Sequence, residues 1–413
     1  MPNALLVGLD RFPKKRLALY LDELQALAET VGLSVVGRLT QDQKLATAKT
    51  KFGSGKVEEM REAIATHAVD LIISNDELTG SQIRNLEDAL DIRVIDRTLL
   101  ILELFTRRAK TKEAMLQVEI AQLRYLLPRL NSMHASFGRQ QGGIGSRGPG
   151  EKKIELDRRK IEAEIRTLRS ALKLMVRVRQ QNRRKRLKSG MKTVAVVGYT
   201  NAGKSTLVNT LIEHDEQGQD KQVVVKDQLF ATLETASRRI ELEHCPPFIL
   251  TDTIGFISEL PHDLVEAFKS TLEEIREADM LIHVIDYADP HYMNQIETTR
   301  HVLEELGAQS IETLYVFNKI DLAHDPLPHG LTPSVNVSLK TGAGLERFFQ
   351  VLATMLSQDT VVVVYRIPYS DHAHLHSLKR HSELLSEKQE DSGTLCKVRI
   401  PVHLRHRFAD YEV

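Results

Sequence analysis

The residues with the most specific chemistry lie between Thr193 and Leu207, TVAVVGYTNAGKSTL, where an apolar run breaks into a glycine-bearing turn and then takes on helical spacing. Gly198 and the triplet Gly203-Lys204-Ser205 fit the pattern GxxxxGK followed by Ser or Thr, with Tyr199, Thr200, Asn201 and Ala202 as the variable turn. Such a turn aims successive backbone N–H groups and a helix N-terminus at phosphate oxygens. Lys204 would neutralise the β- and γ-phosphates, Ser205 would offer a hydroxyl to Mg²⁺, and Thr206 would complete the cradle. The pattern alone also describes an ordinary strand-to-helix turn. Three further loops weigh against that: Asp252-Thr253-Ile254-Gly255, Asn318-Lys319-Ile320-Asp321 and Val337-Ser338-Leu339-Lys340. Each follows a strand-like run, in the order a GTP-binding domain requires.

Each loop has an expected task. The Asp321 carboxylate would accept from N1–H and the exocyclic amine of guanine, with Asn318 beside it. Adenine would leave that carboxylate unpaired, which can reject the wrong base by about 10⁴ or more. Lys319 should lie along the base, and the Leu339 N–H, between Ser338 and Lys340, should meet the guanine carbonyl. Asp252 should hold Mg²⁺ through a water, and Thr253 and Ile254 lead to Gly255, whose N–H should sense the γ-phosphate. The stretch Asp227 to Leu233, DQLFATL, precedes a strand-like run and is placed as switch I. There Phe230 and Ala231 flank Thr232, the chosen ligand of Mg²⁺ and the γ-phosphate, with Thr235 the competing candidate. Lys204, Thr232 and Gly255 are thus the expected catalytic groups. Phe256 stands where Ras-like enzymes place a water-orienting Gln, and a phenyl ring has no atom to orient a water. Slow intrinsic hydrolysis follows, accelerated when a partner or a reorganised switch I supplies a polar group.

The elements that must hold these loops come from the rest of the chain. At 413 residues it has room for roughly two to four domains, and its 56 basic and 56 acidic residues leave no global field. Two cysteines without a CxxC pair argue for a reducing compartment and against a disulfide scaffold or structural zinc. No signal peptide and no run of about 18 uncharged apolar residues occurs. A soluble cytoplasmic protein is expected, with association at the membrane periphery left open.

Residues 1–107 alternate short apolar runs with helical patterns, the signature of a small parallel sheet with crossover helices. Within them Gly53-Ser54-Gly55-Lys56 lacks the P-loop frame and reads first as a glycine turn before a helix, with phosphate contact the alternative. Leu99 to Leu130 reads as one long helical stretch. Gly142 to Gly150 is a flexible linker by composition, or a cationic loop able to enter an RNA crevice. Glu151 to Lys188 is helical, a hairpin or part of a coiled arrangement, and ends in seven cations from Arg177 to Lys188. That run is either a solvated face or a phosphate-neutralising patch, with no aromatics for base stacking. Beyond the GTP-binding part come an apolar run at Thr360 to Pro368, a helix at Asp371 to Leu385 and a strand at Leu395 to Leu404. His372, His374 and His376 read as solvated side chains, since only two share a helix face.

The chain resembles the HflX GTPases over nearly its whole length. The resemblance is carried by FGSGKVEE, RTLLILELFTRRAKTKEAMLQVEIAQLRYLLPRL, GGIGSRGPGE, VGYTNAGKSTL, DQLFATL, DTIGFISELPHDLVEAFKSTLEE and ADMLIHVID. Two positions depart from the family: Lys152 stands where GPGE is usually followed by Thr, and Glu234-Thr235 stand where ATL is usually followed by Asp-Pro. The resemblance implies an N-terminal α/β domain over 1–130, a glycine-rich loop and basic helical linker over 131–190, a P-loop G domain over 191–357 and a small α+β domain over 358–413. It implies GTP/GDP and Mg²⁺ as cofactors. It further implies binding to the large ribosomal subunit and its RNA through the Gly142 to Gly150 loop and the linker, toward the peptidyl transferase centre, and separation of stalled ribosomes under stress. Some members also bind ATP through the N-terminal domain and have been associated with RNA unwinding. A monomer is expected. The rival readings are a GTP-switched regulatory module for a non-ribosomal partner and an ATP-dependent RNA-remodelling activity of the N-terminal domain.

Overall fold

Runs such as Ala4 to Leu9 and Val194 to Val197 are apolar at every position rather than at alternate ones, as strands buried on both faces must be. They build two sheets, one wholly parallel and one parallel except for an edge strand. The computed structural model describes residues 1–10, 17–130, 149–187, 191–215, 236–253, 255–258, 268–323, 330–358 and 360–413. These fall into two compact units, one of Met1–Met175 with Glu259–Phe268, the other of Val176–Ser258 with Lys269–Val413.

In the first unit β1 (Asn3–Asp10), β2 (Ser34–Asp42), β3 (Leu71–Ser74) and β4 (Arg93–Asp96) form a parallel sheet in the order β2-β1-β3-β4. Leu5, Val7, Phe52, Met60, Ile72 and Val94 fill one side of it. The Gly53 turn caps the helix Ser54–His67, as a glycine turn before a helix should. The expected single helix from Leu99 to Leu130 is two, Arg97–Arg108 and Lys112–Leu126. Thr111 causes the break: its hydroxyl accepts from the Ala114 N–H and caps the second helix, a start signal that the continuous apolar periodicity hides. Buried Asp96 ties the second helix to the sheet. It accepts from Leu99 N–H, from the Tyr125 hydroxyl at 2.9 Å and from Arg129 at 3.2 Å, and the Arg129 guanidinium lies 3.5 Å from the Tyr125 ring centre.

The basic linker region is one helix, Pro149–Leu187. Ile165 is buried, whereas Leu156 and Leu174 are exposed. Of the loop expected to touch RNA, residues 142–148 lie outside the described residues, as does Lys188.

In the second unit β5 (Thr193–Gly198), β6 (Ala236–Ile240), β7 (Phe248–Asp252), β8 (Met280–Asp286), β9 (Glu312–Asn318) and β10 (Ser334–Asn336) lie in the order β10-β9-β8-β5-β7-β6. All pairs are parallel except β6 with β7. Leu207, Leu211, Phe248, Ile282, Val316 and Phe348 close the core on one side. Because the strands are parallel, the loops after β5, β7 and β9 open at one end of the sheet, where such folds place ligands.

After the helix Leu345–Leu356 come β11 (Thr360–Ile367), β12 (Glu383–Glu390) and β13 (Gly393–Pro401), an antiparallel sheet in the order β11-β13-β12. The helix expected to reach Leu385 stops at His381, and Glu383–Glu390 is a strand. Its sequence, ELLSEKQE, is largely exposed at this sheet edge, so it shows no period-2 alternation to find. His374 bonds Asp371, and no group of three or more potential metal ligands occurs among the described residues. Both cysteines are free and buried. No helix among the described residues is long and apolar enough to cross a membrane.

Candidate functional site

β5 ends in the turn Gly198 to Gly203, and two of its glycines are there by necessity. Gly198 has φ +144° and a Cβ at that position would lie 2.2 Å from the Val284 carbonyl oxygen. Gly203 has φ +104° and its Cβ would lie 2.2 Å from Asn318 Nδ2. Asn201 takes φ +61°, a conformation that asparagine tolerates better than most residues. The helix Lys204–Glu213 starts immediately after, and no side chain caps it. Its first N–H groups and its dipole therefore face the mouth of the turn. Ser205 and Thr206 are half-buried in its first turn, and Ala202 and Thr200 are buried.

Lys204 is buried at the centre of this arrangement, its Nζ donating to the Tyr199 carbonyl oxygen at 2.6 Å. Burial pushes the Lys204 ammonium down to about 8, with the charge of Asp252 working in the other direction. Asp252 is itself buried at the end of β7, and beside it the Thr253 hydroxyl donates to the Val196 carbonyl oxygen at 2.5 Å. Gly255 is pressed against the turn: a Cβ there would lie 2.9 Å from both Lys204 Nζ and Thr200 Cγ2. Ile254 and the switch I candidates Phe230, Ala231, Thr232 and Thr235 lie outside the described residues.

At the end of β9, Asn318 is buried and donates through Nδ2 to the Ala202 carbonyl oxygen at 2.9 Å, while its Oδ1 accepts from the Leu339 N–H at 3.1 Å. Lys319, at φ +64°, pairs with Asp286 at the end of β8, Nζ to Oδ2 being 2.7 Å. The Ser338 hydroxyl accepts from the Thr341 N–H and orders the loop that presents Leu339; Lys340 and Asp321 are exposed. Three loops remote in sequence are thus joined through the Asn318 side chain.

Two participants escape a motif search. Asp286 becomes visible only through its pairing with Lys319. His283 does leave a signal, a lone polar residue inside the apolar strand ADMLIHVID. It is buried on β8 with its ring 5.7 Å from that of Tyr315, and burial together with the Lys204 charge holds it down to about 3, so it is neutral.

Residues 18–106 match a family model described as GTP-binding GTPase N-terminal, residues 108–186 its middle region, and residues 193–319 a model described as 50S ribosome-binding GTPase. The GTPase HflX of Caldanaerobacter subterraneus subsp. tengcongensis is 43% identical over 391 residues, covering 95% of this chain and 90% of that relative. The GTPase HflX of Escherichia coli is 40% identical over 390 residues, covering 92% and 90%. The chain belongs to the HflX GTPase family. Among solved structures, a GTP-binding protein of Sulfolobus solfataricus in complex with GDP is 22% identical, covers 86% of this chain and 100% of its own, and has a TM-score of 0.44. As a member of the HflX family the chain binds guanine nucleotide and hydrolyses GTP.

Proposed function

We propose that this chain is a GTP-hydrolysing factor that binds the large ribosomal subunit and promotes the splitting and rescue of stalled ribosomes. The observation that carries this reading is continuity of chain. The helix Pro149–Leu187, whose sequence ends in a run of arginines and lysines, is followed after a few residues by β5 and its phosphate turn. A change in that turn has a short path to a segment suited to RNA phosphates. The work divides among residues 1–130 and 131–190 for ribosomal RNA and 191–357 for GTP.

In this reading Gly198 to Thr206 cradle the phosphates, Lys204 balances their charge and Asn318 steadies the base pocket. Asp321, Lys319 and Leu339 read guanine, with Ser338 and Lys340 shaping that loop. The donor set suits Mg²⁺, because the Ser205 hydroxyl, the Asp252 carboxylate and Thr232 offer only hard oxygen ligands. Ser205 and Thr232 would hold it directly and Asp252 through a water, and the ion would supply positive charge against the phosphates. Gly255 would give its N–H to the γ-phosphate, and Thr232 would close from switch I. Phe256 is buried and has no polar side-chain atom, so attack by water waits on a group from elsewhere.

The test is co-sedimentation with separated ribosomal subunits in GDP or a non-hydrolysable GTP analogue, across a salt series, with hydrolysis measured on the same fractions. Retention on the large subunit in the analogue, falling steeply with salt, supports the reading. Equal recovery with both subunits, or none, refutes it.

A further inference from the structure

The segment after Gly255 is hydrogen-bonded to the phosphate turn in a way the nucleotide chemistry does not require. Phe256 N–H donates to the Gly198 carbonyl oxygen at 3.1 Å, and Thr200 N–H donates to the Phe256 carbonyl oxygen at 2.8 Å. Together they make a short parallel bridge between Tyr199 and Phe256. A side-chain lock closes over it. The Tyr199 hydroxyl lies 2.6 Å from Ser258 Oγ and also accepts from the Ser258 N–H at 2.9 Å. With the bridge formed, Gly255 lies close against the turn: a Cβ on it would stand 2.9 Å from Lys204 Nζ, 2.9 Å from Thr200 Cγ2 and 3.1 Å from Thr200 Cα.

We propose that Tyr199 and Ser258 are specificity-determining residues, a clasp that favours GDP over GTP by holding Gly255 to Ser258 against the phosphate turn. GDP ends at the β-phosphate and is held by Lys204 and the N–H groups at the start of the helix, so it binds with the clasp shut. GTP needs Gly255 to move away from Lys204, so it binds only the open form. A ligand that requires a minor form loses apparent affinity in proportion to the scarcity of that form. Tyr199 acts through the position of Gly255 and is a positioning residue. Ser258 contributes at two points, its hydroxyl and its N–H, and both meet the same phenol oxygen.

The inference rests on the phosphate placement proposed above, and nucleotide titrations separate the two. Full-length wild type, Tyr199→Phe, Ser258→Ala and the double variant are titrated with GDP and with a non-hydrolysable GTP analogue. Tyr199→Phe removes both bonds to the phenol oxygen, and loss of one or two hydrogen bonds should raise the affinity for the GTP analogue relative to that for GDP about three- to tenfold. Ser258→Ala should move the same ratio less, since its N–H remains, and the double variant should do no more than Tyr199→Phe. In steady state the KM for GTP should fall without a matching rise in kcat. An unchanged GTP-to-GDP ratio in both single variants, or equal weakening of both nucleotides, overturns the clasp. Wild type that binds neither nucleotide removes the phosphate site itself, and the clasp with it.

Discussion

Asn318 Nδ2 donates to the Ala202 carbonyl oxygen at 2.9 Å, so the loop that reads the base is fastened to the turn that holds the phosphates. The same amide accepts from the Leu339 N–H at 3.1 Å, which adds the third loop to one side chain. Asn318→Ala should therefore cost stability as well as affinity. Two partners lose their bond, at about 1–1.5 kcal/mol each, so urea unfolding should show a loss of roughly 2–3 kcal/mol. Asp321 is exposed and has no such duty. Asp321→Ala should leave the unfolding midpoint in place while GDP affinity drops at least about tenfold and discrimination against adenine nucleotides narrows. If Asn318→Ala unfolds like wild type, the amide is not the fastening described.

The glycines offer a contrast within one chain. Gly203→Ala places a methyl 2.2 Å from Asn318 Nδ2 at φ +104°, and Gly198→Ala places one 2.2 Å from the Val284 carbonyl oxygen at φ +144°. Each combines backbone strain with a clash and should destabilise by about 2 kcal/mol or more, with loss of nucleotide binding. Gly55, in the Gly53 to Lys56 turn, has nothing within 4 Å of an added Cβ and lies in the helix Ser54–His67. Gly55→Ala should be neutral or stabilise by up to about 1 kcal/mol, through helix propensity and a less flexible unfolded chain. Thermal unfolding of the three variants checks the set. Equal damage at Gly55 would mean that the turn has a role beyond capping.

Much of this was legible in the sequence, for reasons that differ by element. Gly198, Gly203 and Lys204 announce themselves because phosphate recognition fixes residue type at fixed local spacing, and the strands before them are continuous apolar runs. The break at Thr111 was not legible, because apolar periodicity continues across it and only a single cap marks it. Nor was Glu383–Glu390, where a largely exposed edge strand carries no alternation. The pairing of Lys319 with Asp286, and of Tyr199 with Ser258, arises from strand order. Residues 33 and 59 positions apart become neighbours only once β8 is placed beside β9 and the segment after β7 beside the turn.

Lys204 makes nucleotide binding sensitive to pH in the alkaline range. Burial brings it down to about 8, against an ordinary value of 10.5, so above pH 8 it is increasingly neutral. Phosphate oxygens favour the charged form, so binding between pH 8 and 10 should take up a proton. The affinity for GDP should then fall by up to about tenfold per pH unit over that range. Folding responds with the opposite sign. The unfolded lysine stays protonated to 10.5 while the folded one does not, so the empty protein gains stability as pH rises from 8 toward 10.5. Calorimetry in buffers of different ionisation enthalpy detects the uptake, and Lys204→Met should abolish it along with most of the affinity. Binding enthalpies that do not vary with buffer at pH 9 would contradict this.

His283 gives the acid side. It is buried on β8 and held neutral down to about 3 by burial first and by Lys204 second, whereas an unfolded histidine takes up its proton near 6.5. Below 6.5 the unfolded chain therefore binds a proton that the folded chain refuses. Stability from this group is fully present above 6.5 and is lost as pH falls toward 3, with a slope approaching about 1.4 kcal/mol per pH unit. Lys204 is charged throughout that interval, so it opposes the imidazolium at every point of it. Urea unfolding between neutral pH and about 5 should show the slope in wild type and a flatter one in His283→Leu, which keeps a similar volume with nothing to protonate. Lys204→Met should fall between them, because it removes the opposing charge but leaves the ring buried. A slope identical in wild type and His283→Leu would show that acid sensitivity originates elsewhere in the fold.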